Sequence, residues 1–164
     1  MNTQKVHFRS PIGNIEIHYT DSGVKFLQFV VGDSTNEIEN LDFLGFKIVS
    51  ELEKYFENGS YLMDLPIDQS MGTEFQQKVW KALLDIPVGE TRSYRDLAEQ
   101  IGQPQAAQAV GNANGQNPIL LLVPCHRIIG SNNQLIGYRG ELWRKKWLLE
   151  HEGALQKSNQ INIF

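Results

Sequence analysis

At 164 residues, 41% hydrophobic and 21% charged, the chain has enough apolar content to bury a core and fits one domain, or one domain carrying a smaller lobe. Its longest apolar run, Ile119 to Val123, is too short to span a bilayer, and MNTQKVHFRSPIG has no apolar signal segment; the single cysteine excludes an intramolecular disulfide, so a cytoplasmic, reducing setting is expected. The net charge of −4 is unevenly held: residues 1–70 carry 5 Lys and Arg against 11 Asp and Glu, residues 71–153 carry 9 against 8, so the second part can still present a basic face.

In chain order, "NIEIHYT" alternates Ile15, Ile17 and Tyr19 against Asn14, Glu16 and His18, the period of a half-buried strand. "SPIGN" and "TDSG" supply turn chemistry on either side, and "VKFLQFV" reads as the next strand of an antiparallel meander. "GDSTNEIEN", Gly32 to Asn40, is polar and reads as loop. "FKIVSELEKYFENG" places Ile48, Leu52, Tyr55 and Phe56 at helical spacing, with Gly59 as the stop. A linker-like "YLMDLPIDQSMG" follows, and the lobe boundary is set near Ser70.

Thr73-Glu74-Phe75-Gln76 is a capping-box pattern, and Phe75, Val79, Trp80, Leu83 and Leu84 mark the helix it opens. Ser93 with Asp96 three residues on caps a second helix, striped by Leu97, Ala98 and Ile101 and ended by Gly102. Pro104 then sits where a third helix is expected to start. Two short helices on a tight, Gly-containing connection form a helix-turn-helix pattern, although any helical domain holds such hairpins. The second of them, through Ala106, Ala107, Ala109, Gly111, Ala113 and Gly115, is slim enough to approach another surface closely. Ile119 to Val123 suits a buried extended segment, with Pro124 delivering Cys125 at a sharp exit. "ELWRKKWLLEHEG" closes as an amphipathic helix with Leu142, Leu148 and Leu149 inward, and the last eleven residues, ALQKSNQINIF, read as a frayed tail apart from Phe164.

The only cysteine lies in "LLLVPCHRII", beside His126 and Arg127. A lone cysteine is more often an inert buried residue than a nucleophile. A neighbouring imidazole or cation lowers a thiol pKa, however, and at a proline-imposed turn His126 can reach the sulfur directly or through one water. A carboxylate would then fix the imidazole tautomer. Glu150 and Glu152 are both placed for that role.

From Thr73 to Gly153 the order "F-Q-x-x-V-W", "I-P-V-G-E-T-x-S-Y", "L-A-x-x-I-G-x-P", "A-V-G-x-A-x-x-x-N-P", "PCHR", "GY" and "RKxWLLxHEG" resembles the O6-alkylguanine-DNA alkyltransferases without an obvious gap. The first seventy residues resemble that family's amino-terminal lobe in outline only. The resemblance implies an α+β protein: a small antiparallel, RNase H-like lobe over residues 1–70, a mostly helical DNA-binding and alkyl-transfer domain over 71–153 with a helix-turn-helix, and a tail over 154–164. It implies a suicide reaction in which Cys125 takes the alkyl group from O6-alkylguanine, with O4-alkylthymine as a candidate second substrate. His126 would be the base through a water, with Glu152 rather than Glu150 orienting it. Tyr94 would donate a proton to the leaving purine, and Asn117 would tie the second helix to the Cys loop. Tyr138, the backbone of Arg139 and Lys145 would line or flank the base pocket, with Ser93, Ala107, Gln108 and Arg127 among the DNA contacts.

The partner implied is double-stranded DNA entered from the minor groove by the slim helix, the target nucleotide being extruded, and the protein would act as a monomer without cofactor or membrane. Two positions depart from the family pattern. Gln108 stands where an arginine usually fills the gap left by the flipped base, so flipping or damage search is expected to be impaired. Glu141 replaces the second glycine of a usual Gly-Gly pair and is expected to crowd or acidify the pocket rim. The rival readings are a damage-sensing relative that does not repair, disfavoured because the cysteine is present, and a cysteine hydrolase using Cys125, His126 and Glu152, which would turn over many times. His7, His18, His126 and His151 lack metal-ligand spacing, so no metal is expected.

Overall fold

The computed structural model describes residues 2–32 and 40–155. Three strands, β1 (Gln4–Ser10), β2 (Gly13–Thr20) and β3 (Gly23–Val30), form an antiparallel meander in the order β1-β2-β3. The alternation read in β2 is realised: Ile15, Ile17 and Tyr19 are buried, while Asn14, Glu16 and His18 lie on the other face, half-buried. A register shift after His18 pairs Tyr19 with Val24, leaving Lys25 as the extra residue of a bulge.

Helix α1 (Phe43–Glu57) covers the buried face of this sheet with Ile48, Val49, Leu52 and Tyr55. It begins earlier than the apolar spacing indicated because the Asp42 side chain accepts from the Gly45 amide, an N-cap that needs no apolar periodicity. Gly59 does not act as a left-handed stop; α1 ends on an extended Asn58. A Cβ at Gly59 would lie 1.8 Å from the His151 carbonyl oxygen, so the glycine permits close approach of the last helix.

The helical part contains α2 (Glu74–Leu83), the two-residue strand β4 (Arg92–Ser93), α3 (Tyr94–Gln100), α4 (Ala107–Gly115), a 3-10 turn over Cys125–Arg127, β5 (Ile128–Ile129) and α5 (Leu142–His151). Both expected capping boxes are present, Thr73 with Gln76 and Ser93 with Asp96. Helix α4 starts at Ala107 without a side-chain cap, later than Pro104, which instead lies in the turn. The Trp80 indole donates to the Ala113 carbonyl at 2.8 Å, pinning α4 on α2. The parallel pair of β4 with β5, Arg92 opposite Ile128, joins the start of α3 to the chain just after Cys125.

One hydrophobic core runs through both parts, from Val6 and Ile17 to Val110 and Leu148. The sheet also holds the Cys loop directly: the Leu27 amide donates to the Pro118 carbonyl at 2.9 Å, and the Leu120 amide donates to the Leu27 carbonyl at 3.0 Å. Ile119 to Val123 is buried as expected but is not extended. It coils through Leu121, whose φ of 68° is left-handed, with the Val123 amide returning to the Ile119 carbonyl.

Gly153, at φ 78°, follows α5 as its stop. Ala154 and Leu155 are folded back on Leu149 rather than frayed. The loop assigned to Gly32–Asn40 and the tail beyond Leu155 lie largely outside the described residues. Among the described residues no helix is long and apolar enough to cross a membrane.

Candidate active site

Asn117 shapes the loop that carries the cysteine. It is 1% exposed, its amide nitrogen donates to the Val123 carbonyl at 2.8 Å and the Ile119 carbonyl at 3.3 Å, and its Oδ1 accepts from the Ile119 amide at 2.9 Å. A tight turn just after α4 thus acquires side-chain partners for backbone groups that no strand satisfies. These bonds run between Asn117, just after α4, and the segment leading into Cys125.

Cys125 is 3% exposed. Burial pushes the thiol pKa up, against the downward pull of the Asn117 side chain and the charges of Lys145 and Arg139. The lowered thiol pKa expected from adjacency to His126 is therefore not met in this state, because desolvation of the anion outweighs the cations around it. The proton must be removed when the sulfur reacts.

Next to it in sequence, His126 is fully buried, with Nε2 2.9 Å from Glu152 Oε2. A carboxylate only accepts, so Nε2 carries the hydrogen, and Nδ1, where it carries no proton, is left as the lone-pair base. Nδ1 is buried and has no hydrogen-bond partner. Glu152, the C-cap of α5, is also gripped by Arg127, Nε to Oε1 at 2.8 Å and Nη2 to Oε2 at 3.1 Å, and by the Tyr55 hydroxyl at 2.7 Å. Burial works to raise its pKa, but the charge and hydrogen bond of His126 and those of Arg127 outweigh it and hold the carboxyl well below the usual range. Glu150 lies apart from this cluster, opposite Lys146.

Arg127, expected among the DNA contacts, is committed elsewhere. It is buried, and its remaining bond goes to the Ile86 carbonyl at 2.7 Å, so it holds the carboxylate rather than facing outward. The Ser93 hydroxyl is engaged as the cap of α3.

The Tyr94 hydroxyl donates to the Ile136 carbonyl at 3.2 Å; burial first, then the neighbouring Cys125, raises its pKa, so it stays a donor. The Tyr138 hydroxyl is buried without a partner, and its ring stands edge-on to His126 with centroids 6.5 Å apart. Lys145 is fully buried and donates to the carbonyls of Ile136 and Gly137 at 3.1 and 3.2 Å. Arg139 and Gln108 are exposed, and Ala107 is half-buried.

Glu141 projects outward, bonded to the Trp143 indole at 2.7 Å, rather than crowding the site. A cavity of about 230 Å3 behind the loop involves Tyr55, Ile86, Leu121, Pro124 and Arg127, but not Cys125, Tyr94 or Tyr138, and so is not a pocket for a base at the sulfur. Among the described residues no group of three His, Cys, Asp or Glu could hold a metal; His7 and His18 both bond to Glu16, at 3.0 and 2.6 Å.

Two participants escaped the sequence reading. Tyr55 looked like one more apolar position of α1, and nothing in its spacing marked its hydroxyl as a partner of Glu152. The commitment of Arg127 to that carboxylate likewise depends on a fold that joins positions 25 residues apart.

Residues 74–154 match the family model for the DNA-binding domain of 6-O-methylguanine DNA methyltransferase. A methylated-DNA–protein-cysteine methyltransferase of Methanosarcina acetivorans is 44% identical over 153 residues, covering 90% of this chain and 96% of the relative. The protein of the same name from Mycobacterium leprae is 48% identical over 156 residues, covering 90% and 92%. A crystal structure of Mycobacterium tuberculosis OGT in complex with DNA is similar at a TM-score of 0.78 and 44% identity, covering 90% of this chain and 91% of that one.

Proposed function

The chain belongs to the O6-methylguanine DNA methyltransferase family, and from that membership we propose that Cys125 is the residue it alkylates in repairing DNA. The activity is that of a methylated-DNA–protein-cysteine methyltransferase: an alkyl group passes from O6-alkylguanine in DNA to a cysteine of the protein itself. One observation carries the assignment. The chain has a single cysteine, so no other residue can be the acceptor.

Glu152 holds the Nε2 hydrogen of His126, and Nδ1 takes the thiol proton through one water. The sulfur attacks the alkyl carbon in line, the carbon–O6 bond breaks, and its electron pair returns to O6 as a carbonyl forms. Tyr94 donates a proton to the purine as it leaves. In balance, S–H and O6–C are replaced by S–C and a guanine N–H. A thioether in this buried position has no proton to lose and no leaving group, which is why the protein is consumed. The geometry around Glu152 supports these roles for His126 and Glu152, and Asn117 presents the loop.

The sulfur is buried and the target base is stacked, so the nucleotide must leave the duplex, at about a few kcal/mol of lost stacking. Helix α4 suits entry from the minor groove: Gln108, Ala109 and Asn112 are exposed along it, and no bulky side chain stands there. Gln108 would occupy the gap left by the base. Ala107, Ser93, Tyr138 and Arg139 would flank the strand and the extruded purine, with Lys145 behind them. The division at residue 70 separates a sheet lobe that supports the Cys loop from the part that meets DNA. We infer action as a monomer in the cytoplasm.

Intact-protein mass after incubation with an O6-methylguanine duplex tests this reading. The expected result is the gain of one methyl group in place of one hydrogen, absent in Cys125→Ser. Unlimited turnover on an ester or peptide, with no mass gain, would point instead to a hydrolase.

A further inference from the structure

Glu152 reaches the active site against two physical penalties. It is buried, and as the C-cap of α5 it sits at the negative end of the helix dipole, where a carboxylate is disfavoured. Four donor contacts offset this: Arg127 Nε on Oε1, and Arg127 Nη2, His126 Nε2 and the Tyr55 hydroxyl on Oε2. Three of the four come from the Cys turn itself. The fourth comes from α1, in the sheet lobe, 97 residues away in sequence.

We propose that Tyr55 is a positioning residue of alkyl transfer, fixing through its hydroxyl the Glu152 carboxylate that orients His126, and so making the amino-terminal lobe part of the reaction machinery. This inference rests on the roles given above to His126 and Glu152. The side chain is 1% exposed, and its ring is held edge-on by Phe56 and His151, with centroids 5.2 and 5.3 Å away, which fixes where the hydroxyl points. The titratable and charged groups facing the carboxylate and this hydroxyl are His126, Arg127, Tyr138 and His151. Burial, reinforced by the charge of Glu152, keeps the Tyr55 hydroxyl protonated well above its ordinary range, so it remains a donor wherever the thiol can react.

Removing the hydroxyl acts on the rate and leaves binding alone. The Arg127 fork alone leaves the carboxylate free to rock about the fork, so His126 is aimed less well and the rate plateau falls.

The test is Tyr55→Phe in the full chain, measured by single-turnover methyl transfer from an O6-methylguanine duplex across pH, with duplex affinity alongside. The ring packing is kept and Glu152 retains three donor contacts, so the variant folds. The expected result is a plateau lowered about tenfold with unchanged duplex affinity. Tyr61→Phe, which takes a hydroxyl from Glu51 in the same lobe, is expected to leave rate and profile unchanged. A wild-type rate and profile for Tyr55→Phe, with Glu152→Gln slow, overturns the role of Tyr55 alone. A wild-type rate for Glu152→Gln overturns the relay beneath it.

Discussion

Tyr94 and Lys145 donate to one acceptor, the Ile136 carbonyl oxygen, at 3.2 and 3.1 Å. If the Tyr94 hydroxyl turns to a purine, as proposed, that carbonyl keeps its Lys145 partner and is not left unsatisfied. The second bond of Lys145, to Gly137, fastens the same loop to α5. Burial lowers the lysine pKa to about 8 while the neighbouring Cys125 works to raise it, so below that pH an ammonium stands where it favours the thiolate. Lys145→Met is expected to slow single-turnover transfer about tenfold at neutral pH, with the deficit narrowing above pH 8 as the wild type loses the same charge. A rate at neutral pH equal to wild type would remove Lys145 from the reaction.

Glu141 has φ 78° and ψ 145°, a backbone region that glycine enters freely and other residues enter at about 1–3 kcal/mol. Its side chain is 68% exposed, so the bonds it makes to Trp143 and Arg144 return little of that strain. Glu141→Gly is expected to stabilise the protein by about 1 kcal/mol, a rise in Tm of about 2–4 °C. A Tm at or below wild type by calorimetry contradicts this. Methyl transfer should be unaffected, since the carboxylate points away from Cys125.

What the sequence made legible follows from how local each cause is. The alternation in β2, the Thr73 and Ser93 caps and the Gly102 and Gly153 stops are decided within a few residues, and all are found. Asn117 and Glu152 could be named only through the family pattern, because spacing left Glu150 and Glu152 equivalent. The rest depends on contacts distant in sequence. Leu121 coils because the Cys loop is caught between β3 and Asn117, and the thiol is desolvated because the whole core closes over it. Arg127 reads as a DNA contact only while Glu152 and Ile86 are absent from its surroundings.

The Glu152 carboxyl also sets a pH dependence of stability. Its folded-state pKa is depressed below 4.5, so the unfolded chain binds the proton more readily. The stabilisation is therefore complete above that value and is lost as pH falls through the folded-state pKa. Glu152→Gln leaves the Arg127 guanidinium buried without its counter-charge, and at neutral pH is expected to cost about 3–5 kcal/mol. Denaturant melts across pH check the sign: the gap to wild type should shrink below pH 4.5. A gap that widens on acidification is the contrary result.

Gln108 lies exposed near the start of α4, clear of the Val110, Ala113 and Asn114 face that packs inward, so it can be changed without disturbing the helix-turn-helix. Glutamine can fill the gap in a duplex and hydrogen-bond there, but it carries no charge and stacks weakly. An arginine adds a cation beside phosphates and a planar group against the orphaned pairing partner. Gln108→Arg is therefore expected to tighten duplex binding and to steepen the salt dependence of log Kd by about one unit per log salt. It should also speed transfer at saturating protein if extrusion limits the wild type. Affinity against salt and the single-turnover rate separate the two effects: a steeper slope with an unchanged rate assigns the arginine to docking alone. No change in either means that Gln108 does not meet the DNA, and that another element of the protein fills the space the base vacates.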